Sequence, residues 1–289
     1  MKPINSVENV SKRYRPGARR AAQRTLRETV AGAFWAPVKT RATTLIRRLI
    51  KTPADGFSSF MEVERAERLF YLKYLQAGMT VFDVGAHMGE LTLMFSRFVG
   101  DTGGVHAFEP TKAGFEMLTA SCTAASLRNV KLNPLALAEQ EKTVVLHSYG
   151  DGYQSWTSQA RRPLEAYGID VQVVGTEESP ATTLDSYCAA NSIPAIDLLK
   201  VDVEGAEFQV LLGARQMLES RRVKCIAFEF GQTTFDMNND PDEIERYLNS
   251  LGYVLRNLVA NDPVFPGRES AQSACFSMHL ANPAGTNLP

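Results

Sequence analysis

The chain has little cysteine and no long apolar run, and both features narrow what it can be. Its 289 residues include four cysteines, which are Cys122, Cys188, Cys225 and Cys275. Their spacings are wide and fit no zinc-binding pattern. Such sparse cysteine is typical of a reducing compartment, so we expect a cytoplasmic protein. With no run of about 18 apolar residues and no apolar segment in the basic N-terminal region, we expect neither a membrane-spanning helix nor a signal peptide.

Net charge is also small, at −1, but it hides an asymmetry between two parts of the chain. Residues 1–57 carry thirteen Lys and Arg against three Asp and Glu, a net charge of +10, whereas the remainder carries −11. Residues 18–35 and 38–51 have helical composition, and the second segment is basic and amphipathic. We therefore expect a basic, partly disordered and partly helical extension at 1–57, followed by a globular domain at 58–289.

The basic extension predicts contact with an anionic surface. That surface is a membrane, which would make the protein peripheral, or a partner protein, or the acidic domain itself. A flexible arm is the alternative. We expect no nucleic-acid partner, and the sequence does not indicate an oligomeric state.

Strands and helices alternate through the globular domain, which predicts a doubly wound, mostly parallel, seven-stranded α/β sheet with helices on both faces. The predicted strands are 80–84, 104–109, 130–135, 143–148, 195–203, 223–230, 253–259 and 275–281. The predicted helices are 61–75, 91–99, 112–125, 184–191, 206–219 and 242–251. We expect a long loop or hairpin at 149–180. In such a fold ligands bind at the carboxyl ends of the strands.

The segment 81–90 predicts a buried strand, a glycine turn and a helix start. Together these three elements form a nucleotide-binding motif. Gly85 and Gly89 would bring the backbone close to a cofactor and the helix close to the strand. Asp83 lies just before the turn, where a carboxylate repels a pyrophosphate. A ligand with a sulfonium and an ammonium group suits this position better, which predicts S-adenosylmethionine (SAM).

An NAD-dependent oxidoreductase is the competing enzyme class. Its fingerprint Gly-x-Gly-x-x-Gly is absent, because the turn has Gly85 and then only Gly89, with Ala86 and His87 among the residues between them. Glu109 ends the second strand, where a carboxylate binds both ribose hydroxyls of a nucleoside. The alternative role for Glu109 is a charge at a helix start, which Pro110 favours.

Five segments of the chain resemble the FkbM family of SAM-dependent methyltransferases. They are Val81–Gly89, Ala107–Pro110, Pro134–Leu137, Thr182–Asp185 and Asp197–Glu207. The resemblance covers about residues 60–260 and leaves out the basic extension. One departure is His87, where the family often has Asn, although both side chains donate hydrogen bonds.

The resemblance implies a class I SAM-methyltransferase (Rossmann-like) fold, SAM as donor, and usually a hydroxyl acceptor in a glycan or natural product. We expect O-methylation of such a small-molecule or glycan acceptor. N-methylation of a peptide or amino sugar and a non-catalytic, membrane-associated SAM-binding role are the alternatives. The residues expected at the SAM site are Asp83, Gly85, Ala86, His87, Gly89, Glu109, Pro110 and Ala136.

Methyl transfer to an alcohol also requires a group that accepts the hydroxyl proton. Asp202 and Glu204 follow a strand and are predicted to point into the cleft, as proton acceptors or metal ligands. Their alternative role is to cap the next helix with Lys200 as ion-pair partner. Glu229, in an apolar strand end, and His147 are further catalytic candidates. We favour a site without a metal ion.

The loop after His147 contains Tyr149, Tyr153 and Trp156 among amide and hydroxyl side chains. Aromatic rings with nearby hydrogen-bonding groups suit a sugar or polyol acceptor. The alternative is a hairpin whose aromatic rings fill a core. The loop therefore predicts a polar acceptor without identifying it.

Overall fold

The computed structural model describes residues 57–150, 152–286 and 288, and strands and helices alternate through them. The helices are α1 Phe60–Tyr74, α2 Glu90–Val99, α3 Lys112–Ala124, α4 Leu184–Ala190, α5 Glu207–Leu212, α6 Arg215–Glu219, α7 Gln232–Asp236 and α8 Pro241–Ser250. The strands are β1 Thr80–Val84, β2 Gly104–Phe108, β3 Val130–Asn133, β4 Ala136–Leu137, β5 Lys142–Ser148, β6 Gly175–Thr182, β7 Leu198–Val201, β8 Ile226–Phe230, β9 Tyr253–Asn257 and β10 Ser277–Pro283.

Seven strands form the central sheet in the order β3-β2-β1-β7-β8-β10-β9. Strands β3, β2, β1, β7 and β8 pair in parallel, and β10 pairs antiparallel with β8 and β9. The predicted mostly parallel, doubly wound sheet is therefore confirmed. After β1 the chain builds one half of the sheet, and from β7 onward it builds the other. The strand order thus reverses between β1 and β7, and ligands of such sheets bind beside that point.

Helices cover both faces of this sheet because its central strands are apolar on both. Val81 and Leu198 point to one face, where Tyr71 of α1 and Phe95 of α2 pack on them. Phe82, at the next position of β1, points to the other face. There it joins a core to which α4, α5, α6 and α8 contribute. Apart from Thr80 and Asp83, β1 is apolar, as expected of a strand that is buried on both faces.

A second, three-stranded sheet has the order β4-β6-β5 and was not predicted. β5 was predicted as a strand, but it pairs antiparallel with β6 rather than with the central sheet. The sequence of β6, Gly-Thr-Glu-Glu-Ser-Pro-Ala-Thr, carries too few apolar residues to indicate a strand. The predicted long loop or hairpin at 149–180 is thus a hairpin with a long connection. We call residues 149–174 the connecting loop.

The predicted helix at 206–219 is two helices, α5 and α6, and this part of the prediction is wrong. Gly213 lies between them, and a Cβ atom there would come within 2.0 Å of the carbonyl oxygen of Ala138. The carboxylate of Asp185 accepts hydrogen bonds from the N–H groups of Gln216 and Met217, at 2.7 and 2.9 Å. Asp185 therefore satisfies the free N–H groups at the start of α6, where the chain begins a second helix.

The predicted basic extension lies outside the described residues, apart from Phe57 at its end. Its predicted helices and its predicted anionic contact therefore stay predictions. Within 57–150, 152–286 and 288, no helix combines the length and the hydropathy needed to cross a bilayer.

Candidate active site

The glycine turn after β1 brings three strand ends together. The N–H groups of Gly85 and Ala86 both donate to the carbonyl oxygen of Phe108, at 3.0 Å, and the N–H of Asp202 donates to Val84 at 3.1 Å. Gly85 has a φ of +81°, and a Cβ atom there would lie 1.8 Å from the carbonyl oxygen of Asp202. The close approach predicted for this glycine is therefore an approach to the end of β7.

Lys200 lies behind the turn and is only 2% exposed. Its Nζ donates to the carbonyl oxygen of Gly85 at 3.0 Å and lies 3.4 Å from carboxylate oxygens of both Asp83 and Asp202. Burial alone would lower the pKa of Lys200, but the carboxylates of Asp202 and Asp83 outweigh it and raise that pKa. The ammonium group is therefore a permanent positive charge that joins the turn to the ends of β1 and β7.

A cavity opens at the carboxyl ends of β1, β2 and β7, where the fold places a ligand. We call it the strand-end cavity. Five of the eight residues predicted for the SAM site line it, namely Gly85, His87, Glu109, Pro110 and Ala136. Apolar side chains of Val84, Phe108, Leu135, Leu137 and Leu146 line it too. The remaining three predicted residues, Asp83, Ala86 and Gly89, are not among its lining residues.

Glu109 is 5% exposed and holds the turn from the cavity side. One carboxylate oxygen accepts from the N–H of His87 at 2.9 Å, and the other accepts from the N–H of Thr111 at 3.0 Å. Thr111 in turn caps α3 by accepting from the N–H of Gly114. Glu109 thus serves the helix start, as its alternative role predicted, and also faces the cavity. Its contact with a ribose stays a prediction that this position suits.

Asp83 is fully buried behind the turn. One oxygen accepts a hydrogen bond from the hydroxyl of Thr92 in α2, and the other faces Lys200. Its predicted role toward the amino group of SAM stays a prediction. Gly89 caps α2 at a φ of +86°, and a Cβ atom there would meet the side chain of Leu118 at 2.7 Å. Gly89 therefore allows α2 to start close to α3.

Asp202 and Glu204, which follow β7, also line the strand-end cavity. The side chain of Asp202 is 38% exposed, and its pKa is lowered: burial opposes this, but the ammonium of Lys200 outweighs it. Glu204 behaves in the opposite way, because burial raises its pKa to about 8 although Arg162 lies 3.3 Å away. Asp202 is therefore the carboxylate of this pair that is ionised at neutral pH.

Glu229 lies behind Asp202 and does not line the cavity. It is 8% exposed, and its carboxyl group is hydrogen-bonded to that of Asp202. Burial, followed by the charge of Asp202, raises the pKa of Glu229 well above its ordinary value, the direction that its apolar flanks indicated. A carboxyl group that keeps its proton donates to Asp202 and does not take a proton from an acceptor.

His147 is not brought into the cavity. Its neighbour Leu146 lines the cavity, and consecutive residues of a strand point to opposite faces. The backbone of His147 bridges to Ser158 across the connecting loop. The predicted catalytic role of His147 therefore has no support from its position.

The predicted helix cap after β7 is made by neither Asp202 nor Glu204: the N-cap of α5 is Ala206, and no side chain makes a capping hydrogen bond there. Glu207 is 2% exposed, and its Oε1 accepts from the N–H groups of Val203 at 2.9 Å and Gly205 at 3.2 Å. The same alternative also predicted an ion pair with Lys200, and Lys200 does contact Asp202. Among the described residues, no three His, Cys, Asp or Glu side chains are arranged to hold a metal ion. A metal-free reaction stays a prediction.

The connecting loop turns its polar residues toward the cavity and its aromatic rings inward. Gln154, Ser155, Thr157 and Gln159 line the cavity. Tyr149 is 3% exposed and packs with Leu164 and Ile169, and Tyr153 and Trp156 pack against the same small core. The aromatic residues that the sequence singled out therefore hold the loop together. The path of the loop determines which of its residues face the cavity. The loop has no periodic sequence pattern from which those residues could be predicted.

Arg162 anchors the connecting loop to the segment that follows β7, and no sequence pattern indicated this contact. Its guanidinium lies 3.3 Å from Glu204 and 3.1 Å from Asp236, and its side chain is only 9% exposed. The hydroxyl of Tyr167 donates to Asp236 at 2.6 Å, and that of Ser158 donates to the carbonyl oxygen of Glu204 at 2.7 Å. Glu204 itself has a φ of +54°, a left-handed conformation that these contacts stabilise.

We expect the free energy of unfolding to fall as the pH rises from about 6.5 to about 8. Burial raises the pKa of Glu204 to about 8 and that of Glu207 to about 7. The folded chain therefore holds protons in this range that the unfolded chain, with carboxyl pKa values near the ordinary 4.5, has already lost. Each such proton contributes a slope of up to about 1.4 kcal/mol per pH unit.

Urea unfolding at a series of pH values measures this slope. Glu204→Gln should flatten it, because Gln is neutral at every pH, and Glu219→Gln on the surface of α6 should not. A stability that rises over this pH range in the wild-type chain would contradict the raised pKa values.

The expected cofactor fits the residues present. A sulfonium and an ammonium group are cations, and the carboxylates of Glu109 and Asp202 line the cavity. His87 also lines the cavity, and its Nε2 is buried and has no hydrogen-bond partner among the described residues. Gly85, Glu109 and Ala136 would hold the nucleoside part, and the apolar lining suits the adenine ring.

Comparison with known proteins agrees with this fit. The sequence model of the Methyltransferase FkbM domain matches residues 83–255. The 31-O-demethyl-FK506 methyltransferase FkbM of Streptomyces tacrolimicus is 26% identical over 242 residues, which are 76% of this chain and 90% of that relative.

Two solved structures also align with the chain. A methyltransferase FkbM from Methylobacillus flagellatus KT aligns at 14% identity and a TM-score of 0.44, over 89% of this chain and 60% of that one. A SAM-dependent methyltransferase from Aquifex aeolicus aligns at 14% identity and a TM-score of 0.42, over 83% of this chain and 97% of that one. The domain match spans more than half of the sequence, and the chain therefore belongs to the FkbM family of SAM-dependent methyltransferases.

Proposed function

We propose that this methyltransferase transfers a methyl group to a hydroxyl oxygen of a glycan or natural product. One observation carries the proposal. The predicted SAM residues Gly85 and Glu109 and the acidic residues Asp202 and Glu204 line a single cavity. A donor bound there would lie beside a group that can accept a proton, which is what an alcohol acceptor requires.

When bound, SAM supplies a methyl group on a sulfonium, and its transfer to a hydroxyl forms a C–O bond, breaks an S–C bond and releases one proton. Asp202 would accept that proton, because it lines the cavity and the ammonium of Lys200 favours its ionised form. Glu229 holds Asp202 from behind through their carboxyl–carboxyl hydrogen bond. Glu204 lies at the same edge, fixed by Arg162.

The acidic edge favours oxygen over a basic nitrogen as acceptor. Carboxylates raise the pKa of a nearby amine and hold it as an ammonium, which has no lone pair to attack the methyl group. A neutral hydroxyl keeps its lone pairs and gains basicity from a carboxylate that accepts its proton. The name of the Streptomyces relative, which specifies a 31-O-demethyl substrate, supports the same class of acceptor.

The test is methyl transfer from isotopically labelled SAM to a panel of hydroxylated glycosides and natural products, with amino sugars included. Mass spectrometry and NMR of the products would show whether the label is bound to oxygen. We expect O-methyl products, formed equally in the presence of a chelator. Label bound only to nitrogen would refute the proposal in favour of N-methylation.

A further inference from the structure

We propose that the part of the acceptor that enters the strand-end cavity is an uncharged, hydroxyl-bearing unit such as a neutral sugar, and that units carrying phosphate or carboxylate are excluded. The proposal rests on the hydroxyl-methylating function above and narrows its substrate. It concerns the unit that reacts. Charges elsewhere on a larger acceptor lie outside the cavity and are not restricted by it.

The first argument is the sign of the charge in the cavity. Glu109, Asp202 and Glu204 line it, and no Lys or Arg is among the described residues that do. An anionic group on the acceptor would lose water beside the carboxylates of Glu109 and Asp202, and no described cationic side chain of the cavity would pair with it. Sites that accept phosphate or carboxylate commonly offer Arg or Lys side chains for this purpose.

The second argument is that the nearest cations are already engaged. Lys200 is 2% exposed and lies between two carboxylates, and the guanidinium of Arg162 lies between Glu204 and Asp236. Turning Arg162 toward an anionic acceptor would break its contacts with Glu204 and Asp236, which hold the connecting loop. Neither of these two described cations is therefore available to bind an anionic acceptor.

The third argument is what the connecting loop offers instead. Gln154, Ser155, Thr157 and Gln159 line the cavity and carry two amides and two hydroxyls. These groups donate and accept hydrogen bonds without charge, which matches the hydroxyl groups of a sugar. His87 adds no charge, because burial lowers the pKa of its imidazole.

The experiment compares matched pairs of acceptors, each a neutral glycoside and the same glycoside carrying a 6-phosphate or a uronic acid carboxylate. Labelled SAM is the donor and the full chain is the enzyme. We expect kcat/KM to be at least about 100-fold lower for the anionic member of each pair, the effect of a like charge placed in a desolvated site. Binding of S-adenosylhomocysteine (SAH), followed by its thermal shift, shows that the enzyme is folded and loaded.

A charge-introducing variant tests the cause. Gln159→Lys supplies a cation in the cavity and should reduce the ratio between neutral and anionic members by about tenfold or more. Gln172→Lys is the matched control, because Gln172 lies in the same loop, is exposed and does not line the cavity. That control should leave the ratio unchanged.

The outcomes separate the two proposals. Equal or better turnover of the anionic members would overturn the neutral-acceptor inference and leave O-methylation standing. An unchanged ratio in Gln159→Lys would overturn the electrostatic cause. Transfer to amines alone, or to no acceptor in the panel by an enzyme that binds SAH, would overturn the hydroxyl-methylating function itself.

Discussion

Asp202→Asn lowers kcat for methyl transfer by about 10²–10⁴-fold, the range lost when a positioned proton acceptor is removed. The variant keeps the shape of the side chain and the neighbouring Lys200, which still faces Asp83 at 3.4 Å. The affinity for SAH should change far less than kcat. Steady-state kinetics with an accepted glycoside and calorimetric titration with SAH measure the two quantities separately.

The reason for so large an effect is that the other carboxyl groups cannot replace Asp202. Burial raises the pKa of Glu204 to about 8, so it carries a proton through most of the neutral range. Glu229 is protonated for the same reason and lies behind Asp202. Of the three residues, only Asp202 has both a lowered pKa and a position on the cavity surface.

Glu229→Gln is the matched control for Asp202→Asn. The two substitutions make the same chemical change in hydrogen-bonded neighbours, but Gln can still donate to Asp202 as the protonated Glu229 does. We expect Glu229→Gln to lower kcat less than about tenfold. If both variants lose activity equally, or if Asp202→Asn stays within about threefold of the wild type, Asp202 is not the proton acceptor.

The sequence predicts much of the fold because local patterns and packing agree along the central sheet. β1 is largely apolar and is followed by Gly85, and the structure buries it on both faces. The same agreement allowed Gly85, Glu109, Asp202 and Glu204 to be placed at one edge, since parallel strands end together. The order of the strands in the sheet then brings residues more than a hundred positions apart, such as Gly85 and Glu204, into one cavity.

The second sheet and the catalytic details depend on contacts that the sequence does not display. β6 is polar and exposed on alternate residues, so its pairing with β5 gives little apolar signal. His147 lies one residue from a cavity-lining position, and a shift of one residue in a strand reverses its face. Arg162 reaches Glu204 across 42 residues of chain, a contact that exists only once the connecting loop has folded.

Lys200→Met destabilises the folded chain by about 3–5 kcal/mol, the cost of removing one partner from a buried ion pair. The carboxylate of Asp83 is fully buried, and apart from Lys200 its described polar contact is the hydroxyl of Thr92. Without the ammonium group, the charge of Asp83 remains in an apolar interior. Urea unfolding of the variant and the wild type measures the loss.

The double variant Lys200→Met with Asp83→Asn shows whether this charge is the cause. Asn still accepts the hydrogen bond of Thr92 but carries no charge, so the double variant should be more stable than Lys200→Met alone, a coupling of about 1–3 kcal/mol. Lys224→Met serves as the exposed control, since Lys224 pairs with Asp197 with its side chain 60% exposed, and it should cost less than about 1 kcal/mol. Additive losses in the double variant would mean that Lys200 contributes through the packing of its methylene chain. The turn at Gly85 would then depend on that packing and not on the charge that joins Asp83 to Asp202.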